Sequence, residues 1–381
     1  MKRPSKYQSL PAWVYSDPDF FELECSQIFM KTWQLICHVS NIPDPGDYYT
    51  LDLLAERIVA VRGEDNQIRA FHNVCRHRAS RLLSGPTGNC KRITCGYHGW
   101  GYDLEGNLKN VPFEREFIDF KKENNGLKPV EMEIWQGFVF IRFGGDGASV
   151  AEVFSPYKSD IESYRLEEVT PLRRVTVRPR DANWKTVIDN YVDGLHIEVA
   201  HHGLAGLFGN TYSLEVRDGV HKLWGDIVPT NKETLSVRMY KKYLPKDCQR
   251  RWQYFRMWPN LAFELYPDQV DFMQILPMTP TTMVIREISY ALHDDRREMK
   301  ACRYLNWRIN REVNAQDQRL IAGVEEGMAT SSYTSGPFAK REICLIDAAE
   351  HMRKIIPVAC EQQKPSAEVM SKLVAEAREN I

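Results

Sequence analysis

The 381-residue chain lacks the features that would send it to a membrane, a nucleic acid or an oxidising compartment. No apolar run approaches the ~20 residues of a membrane span. Lys and Arg total 50 against 51 for Asp and Glu, a formal net charge of −1. So close a balance removes the bulk attraction that draws basic proteins to nucleic acid or acidic lipid. The opening residues, Met1-Lys2-Arg3-Pro4-Ser5, lead into mixed polar sequence without the apolar core of a signal peptide. The nine cysteines show no disulfide-framework spacing, so a reducing cytoplasm is the expected location. There is no internal repeat, no low-complexity tract and no Gly-x-Gly-x-x-Gly stretch to mark a nucleotide fold.

What the chain does have is Cys75-Arg76-His77 and, after seventeen residues, Cys95-Gly96-Tyr97-His98. Two thiolates and two imidazoles suit a [2Fe–2S] cluster of the Rieske kind, in which Cys75 and Cys95 hold one iron and His77 and His98 the other. Neutral imidazoles raise the reduction potential relative to thiolates. Tetrahedral zinc could use the same four groups, but its first pair is typically Cys-x₂₋₄-Cys rather than Cys-x-His. His72 and Cys90 fall outside the spacing and read as packed or hydrogen-bonded bystanders. After the second pair, Trp100 and Tyr102 alternate as strand residues and Glu105-Gly106-Asn107 supplies hairpin turn chemistry. This stretch resembles the Rieske domain of ring-hydroxylating and related non-haem iron oxygenases.

Length allows two domains with sizeable cores. Apolar spacing at Phe21, Ile28, Phe29 and Trp33 predicts a helix over 19–34. Short β-type runs follow (Tyr48 to Leu51, Arg57 to Val61, Trp135 to Ile141), with turns at Gly63-Glu64-Asp65-Asn66 and a linker at Gly144-Gly145-Asp146-Gly147. The second half mixes strands, Arg173 to Arg180 and Thr281 to Tyr290, with a long helical stretch near 298–328. The expected organisation is an N-terminal helical segment (1–40) packing on the catalytic domain, a cluster domain (41–155) and a catalytic domain (156–381).

A second constellation lies at Asp189-Asn190-Tyr191-Val192-Asp193-Gly194-Leu195-His196-Ile197-Glu198-Val199-Ala200-His201-His202. Two histidines and a carboxylate on one face of an iron form the facial triad of non-haem Fe(II) oxygenases. On an ideal helix His196 and His201 would stand about 140° apart. The helix must therefore end or carry a π-type distortion here. For the carboxylate, the stretch at 300–328 offers Glu312, Asp317, Glu325 and Glu326. Asp317 falls on the apolar stripe of Leu305, Ile309, Val313, Leu320, Ile321 and Val324, where an acid is costly unless paired or metal-bound. A salt-bridged buried aspartate is the competing reading.

With Asn183-Trp184-Lys185 upstream, this segment resembles the catalytic domain of Rieske oxygenases, which share an Asn-Trp-Lys and an Asp/Glu-x-x-His-x₄-His signature. The resemblance covers nearly the full chain. It implies an α+β fold: an N-terminal all-β Rieske domain, then a helix-grip catalytic domain of antiparallel sheet plus long helix. It implies a mononuclear Fe(II) held by His196, His201 and Asp317, although His202 stands where relatives often have proline and leaves the second histidine open. The Gln316-Asp317 dipeptide resembles the third-ligand region of choline- and betaine-type members. Asp193 matches the acid that, in the family, links a catalytic-site histidine to a cluster histidine of the neighbouring subunit, here His98. That implies a ring, commonly a homotrimer. Electrons would come from NAD(P)H through a separate ferredoxin or flavin-dependent reductase.

The implied activity is that of a terminal oxygenase component, hydroxylating a small organic substrate or removing an N-methyl group from a quaternary amine. An aromatic-acid hydroxylase or dioxygenase is the alternative, and a pure Rieske electron carrier the more distant one. Phe208, Tyr212, Trp224, Phe255, Trp258, Phe263 and Tyr266 are available to wall a pocket, where rings could cage a trimethylammonium group. Arg76, Arg78, Arg81, Lys91 and Arg92 flank the cluster segments and would form a basic rim for an acidic electron donor.

Overall fold

The computed structural model describes residues 4–379. They divide into two compact units. One spans Lys31–Ala151 with Leu166–Glu168; the other takes the described residues up to Met30, Glu152–Arg165 and those from Val169 onward.

The Lys31–Ala151 unit is built of short antiparallel strands. In chain order they are β1 (Gln34–His38), β2 (Asp47–Leu53), β3 (Glu56–Arg62), β4 (Ile68–His72) and β5 (Thr87–Asn89). Then come β6 (Ile93–Thr94), β7 (Gly101–Tyr102), β8 (Leu108–Asn110), β9 (Glu131–Trp135) and β10 (Phe138–Arg142). They form sheets ordered β1-β10-β9, β4-β3-β2-β5 and β6-β7-β8. Turn residues set the hairpins. Asn66 takes φ +64 between β3 and β4, and Gly106 takes φ +87 between β7 and β8. A Cβ on Gly106 would meet the Phe71 ring at 2.6 Å, so only glycine fits there. Val59, Val61, Phe71, Ile93, Trp100 and Tyr102 pack into one core under the cluster segments.

Two expectations about the N-terminus change. The helix predicted over 19–34 is α1 (Pro18–Glu24) continued by a π turn at Cys25–Phe29. Asp17 caps α1 by accepting the Phe20 N–H at 2.9 Å, and Pro18 fits its first turn. Gln34 already pairs with Ile141, so 34–38 is strand and the β unit begins at Lys31, ahead of residue 41. The Trp33 ring that suggested continued helix instead stacks on the Arg142 guanidinium, 4.4 Å from its centroid.

The larger unit carries the helices α2 (Val150–Phe154, which straddles the division), α3 (Lys158–Ile161), α4 (Trp184–Val192), α5 (Ile197–Ala200), α6 (His202–Phe208) and α7 (Leu235–Tyr243). The 32-residue α8 (Arg297–Met328) follows, then α9 (Ile343–Ile355) and α10 (Ala367–Glu379). Its strands are β11 (Thr170–Pro171), β12 (Thr176–Arg180), β13 (Ser213–Arg217) and β14 (Val220–Asp226), with β15 (Arg251–Met257), β16 (Leu261–Leu265), β17 (Val270–Thr279) and β18 (Thr282–Ala291). They make one antiparallel sheet in the order β11-β18-β17-β16-β15-β14-β13, with β12 also on β18. α8 packs against α4, α6 and α7. Leu223, Trp252 and Tyr254 from the sheet, with Tyr266 just past β16, share a core with Cys302 and Ile309 of α8.

The Asn-Trp-Lys motif explains how α4 is fixed. Asn183 caps the helix, its side chain accepting the Lys185 N–H at 2.8 Å and donating to the carbonyls of Tyr15 and Pro280. Its own N–H reaches Glu325 Oε1 at 2.9 Å. Trp184 Nε1 and Lys185 Nζ both donate to Glu24, at 3.0 and 2.6 Å, and all three side chains are buried. A buried ion pair this complete tolerates no loss of one partner.

Candidate metal centres

The two cysteine–histidine loops share one backbone pattern. The Cys75 N–H donates to the Ser80 carbonyl and the Ala79 N–H to the Cys75 carbonyl; Cys95, Trp100 and Gly99 repeat this at equivalent positions, all at 2.8–3.0 Å. The turn in each is closed by a residue at positive φ, Ala79 at +56 and Gly99 at +72. Both cysteines are buried, free thiols. Burial opposes ionisation of Cys95, yet the N–H groups of Tyr97 and His98 and the neighbouring Cys75 hold its thiol below the ordinary value. Tyr102 accepts the Arg76 N–H at 3.0 Å, which leaves its own proton for Cys75 Sγ at 3.4 Å. The His77 and His98 rings lie 4.6 Å apart. His77 stacks on Trp100 at 4.8 Å, and its buried Nδ1 has no hydrogen-bond partner. Paired sulfurs fed by N–H donors, facing an orphaned imidazole nitrogen, fit a [2Fe–2S] cluster.

Around the loops, Arg76, Arg78, Arg81, Lys91 and Arg92 are all exposed. Arg81 is tied to Asp52 at 2.6 Å and Arg78 lies over the Tyr97 ring. His72 bonds Glu56 at 3.1 Å, away from the loops.

The mononuclear candidates converge through a broken helix. α4 stops at Val192 because Asp193 turns extended (φ −73°, ψ 119°). Asp193 Oδ1 then accepts the Leu195 N–H at 2.7 Å, an Asx turn that starts the chain toward α5. His196 precedes that single turn and His201 ends it at φ −116°, ψ 75°. Neither ring belongs to a regular helix interior, which removes the 140° separation. Asp193 therefore acts from the break rather than from a shared helix face.

His196 Nε2 and His201 Nε2 are 3.0 Å apart, and Asp317 Oδ1 lies 3.5 and 3.0 Å from them. These three residues form a group whose ligand atoms all lie within 4.8 Å. Each imidazole is oriented from behind: His196 Nδ1 meets Asp193 Oδ2 at 3.0 Å, and His201 Nδ1 meets Gln316 Oε1 at 2.7 Å. With both Nδ1 protons so placed, both Nε2 lone pairs face the same point as the carboxylate. Three electron-rich atoms aimed together repel one another unless a cation sits among them. Burial disfavours charge on His196, but Asp193 and Asp317 outweigh it and lift the ring to about 9; the same histidines hold Asp317 at about 2 against its own burial. The donor set fits a divalent iron with positions left open.

His202 is exposed and lies outside the group, as are Glu312 and Glu326. Glu325 serves the Asn183 cap instead. The stripe that singled out Asp317 is not buried along its length: Leu320 and Val324 are 40% and 44% exposed. The expected aromatic wall also divides. Strand alternation sends Phe255 and Phe263 to the far face, against Tyr157 and Phe154, while Trp258 packs on His351. Gln316 and Tyr102 stood in the sequence only as a motif neighbour of Asp317 and a strand residue; their contacts to His201 and Cys75 come from the structure.

Residues 32–128 match the family described as "Rieske [2Fe-2S] domain", and residues 161–357, over half the chain, match "Ring hydroxylating alpha subunit (catalytic domain)". The carnitine monooxygenase oxygenase subunit of Escherichia coli (strain K12) is 30% identical over 339 residues, covering 87% of each chain. The glycine betaine monooxygenase oxygenase subunit of Pseudomonas aeruginosa (strain UCBPP-PA14) is 33% identical over 193 residues, 51% of this chain and 44% of that one. Among solved structures, the quaternary ammonium Rieske monooxygenase CntA superposes with a TM-score of 0.79 at 25% identity, over 91% of this chain and 95% of that one. Naphthalene 1,2-dioxygenase shares the fold at TM-score 0.77 and 20% identity, over 100% and 98% of the two chains. No helix among the described residues is long and apolar enough to cross a membrane. The chain belongs to the Rieske non-haem iron oxygenases, as an alpha-type oxygenase subunit whose cofactors are a [2Fe–2S] cluster and a mononuclear iron and whose electrons come from a partner protein.

Proposed function

We propose that this oxygenase acts on a small quaternary amine, hydroxylating carbon bound to or near the nitrogen. Where that carbon is an N-methyl group, O₂, two electrons and two protons give a hydroxymethyl ammonium and water, and the hydroxymethyl group leaves as formaldehyde. The similarity to carnitine monooxygenase along most of both chains carries this reading. When bound, the cluster supplies single electrons and the iron binds and activates O₂.

The chain's own residues do the rest. Cys75, Cys95, His77 and His98 hold the cluster, with Tyr102 donating to one sulfur. His196, His201 and Asp317 hold the iron, with Asp193 and Gln316 fixing the two rings. Asp193 has a further task, bridging His196 to His98 of the partner subunit in a homotrimer, since head-to-tail contacts close only by rotation. The exposed Arg76, Lys91 and Arg92 receive an acidic ferredoxin or reductase. Nine cysteines without disulfide-framework spacing support a cytoplasmic setting.

The test is O₂ uptake by the reconstituted system with carnitine, betaine and choline-type amines beside a panel of aromatic acids. Uptake coupled to loss of an amine supports the reading. Coupled uptake with aromatic acids alone would replace it.

A further inference from the structure

The sheet face toward α8 carries acids to which no task has been given. Pairing sets Leu223, Tyr254, Glu264, Asp271 and Ser289 in one row across β14 to β18. Tyr266, two residues from Glu264, shares that face. The Glu264 carboxylate accepts the Tyr266 O–H at 2.6 Å. Tyr191, near the end of α4, directs its buried hydroxyl toward Glu264 without closing a well-formed hydrogen bond. Its ring meets Tyr254 edge-on at 6.3 Å, and Tyr254 meets Tyr266 edge-on at 6.0 Å. Three aromatic rings thus stand around one carboxylate.

Neither Glu264 nor Asp271 forms an ion pair with Lys, Arg or His among the described residues. Asp271 has only the Gln269 amide, at 2.8 and 2.9 Å, and the nearby Ser289. Arg256, on the same face of β15, has its charge coupled to Asp189 and Asp347. Asp268 differs, since Tyr240 and Asn306 both donate to its Oδ1 and Arg303 lies close by, although its Oδ2 has no hydrogen-bond partner. Burial pushes the Glu264 and Asp271 carboxyls up. Although deeply enclosed, both keep some accessible surface. Two links run from these acids toward the mononuclear residues. The Tyr212 hydroxyl feels Glu264 together with Asp193 and Asp317. Asn310, about two turns before Asp317 on α8, donates to the Tyr266 hydroxyl at 3.2 Å.

We propose that Glu264, backed by Asp271 and walled by Tyr191, Tyr254 and Tyr266, is the counter-ion site for an organic ammonium head group of the substrate. The site deepens the quaternary-amine reading and rests on it. A buried carboxylate without a cation is costly, and so is a buried ammonium without an anion; each removes the cost of the other. Ring faces add cation–π attraction, which a neutral group of the same shape does not receive.

The test is calorimetry on metal-loaded enzyme with three probes. They are (2-hydroxyethyl)trimethylammonium, its all-carbon isostere 3,3-dimethylbutan-1-ol, and protonated (2-hydroxyethyl)dimethylamine. Wild-type enzyme should bind the first and third well above the neutral isostere. Glu264→Gln should weaken both cations at least about tenfold and leave the isostere unchanged, because only a buried charge pair has been broken. Tighter binding of the dimethyl probe would assign its N–H to the carboxylate, and equal binding would assign recognition to charge and ring faces; either supports the site. Cation affinity unchanged in Glu264→Gln, with amine turnover in the wild type, overturns the counter-ion site and leaves the proposed reaction standing. No amine turnover in the wild type overturns both. Should Glu264→Gln lose iron or cluster, Asp271→Asn takes its place: a several-fold loss of cation affinity is expected, and none would overturn the proposal.

Discussion

The proposed cluster ligands and the proposed mononuclear ligands are held in opposite ways. Cys75, His77, Cys95 and His98 sit in two hairpin loops that repeat the same hydrogen bonds, so each pair is fixed within six residues of chain. His196, His201 and Asp317 come from a helix break and from the middle of α8, more than a hundred residues on. The first arrangement is rigid because it is local. The second depends on everything that locks α4 to α8: the Asn183 cap reaching Glu325, the Asn190 amide donating to Asp317 at 3.3 Å, and the Glu24–Lys185 pair beneath. Damage to the larger unit should therefore spare the cluster.

The strongest way to break that asymmetry is Asp317→Ala. Iron should fall from about three to about two per chain, the counts of a two-iron cluster with and without a mononuclear iron. Activity should drop to background while the brown Rieske spectrum persists. Full iron and activity would remove Asp317 from the ligand set. Loss of the cluster spectrum as well would mean that the two units are not independent.

Next comes Lys185→Met, far from either metal. Glu24 would be left buried with Trp184 Nε1 but no cation, at a cost of about 3–5 kcal/mol to the larger unit. Thermal unfolding followed by tryptophan fluorescence should move well ahead of loss of the cluster absorbance. Coincident transitions would contradict the comparison.

Asp193→Asn probes the link between the two centres. The amide oxygen can still accept from His196, so iron should be retained, but the charge is gone. Turnover should fall at least about 10–100-fold, the range for lost carboxylate support of an imidazole ligand. Cluster reduction by the partner should remain normal. Full activity would remove the bridging role.

How much of this could be read from sequence follows the same division. The proposed cluster ligands could be picked out by spacing, because both members of each pair lie in one loop. The break between His196 and His201 followed from helix geometry once both rings were required to face one metal. Asp317 was reached through an apolar stripe of which Leu320 and Val324 lie exposed, so the position emerged from a pattern only partly buried. Gln316 escaped because its partner, His201, is 115 positions away and no local pattern links them. Glu264 escaped for a simpler reason. Choosing wall residues by aromatic type alone ignores strand alternation, which separates Phe255 and Phe263 from the face that Tyr254, Glu264 and Tyr266 share. A period-two reading from Tyr266 finds the acid directly.

The smallest effect sharpens the likeness between the two cluster loops. Gly99 and Ala79 occupy equivalent positions, at φ +72 and +56. Gly99→Ala places a methyl group in the left-handed region, costing roughly 1–2 kcal/mol. Its Cβ would also meet Pro112 Cγ at 3.1 Å. Ala79 already bears the conformational cost at φ +56. Ala79→Gly removes that strain but frees the unfolded chain, which offsets about 0.5–1 kcal/mol of the gain. The net change there should lie between zero and a gain of about 1 kcal/mol. Urea unfolding of the two variants, followed at the cluster absorbance, should thus show a clear loss for Gly99→Ala and almost none for Ala79→Gly. Equal losses would mean that Ala79 makes a contact worth as much as its strain, and the two loops would not be energetic equivalents.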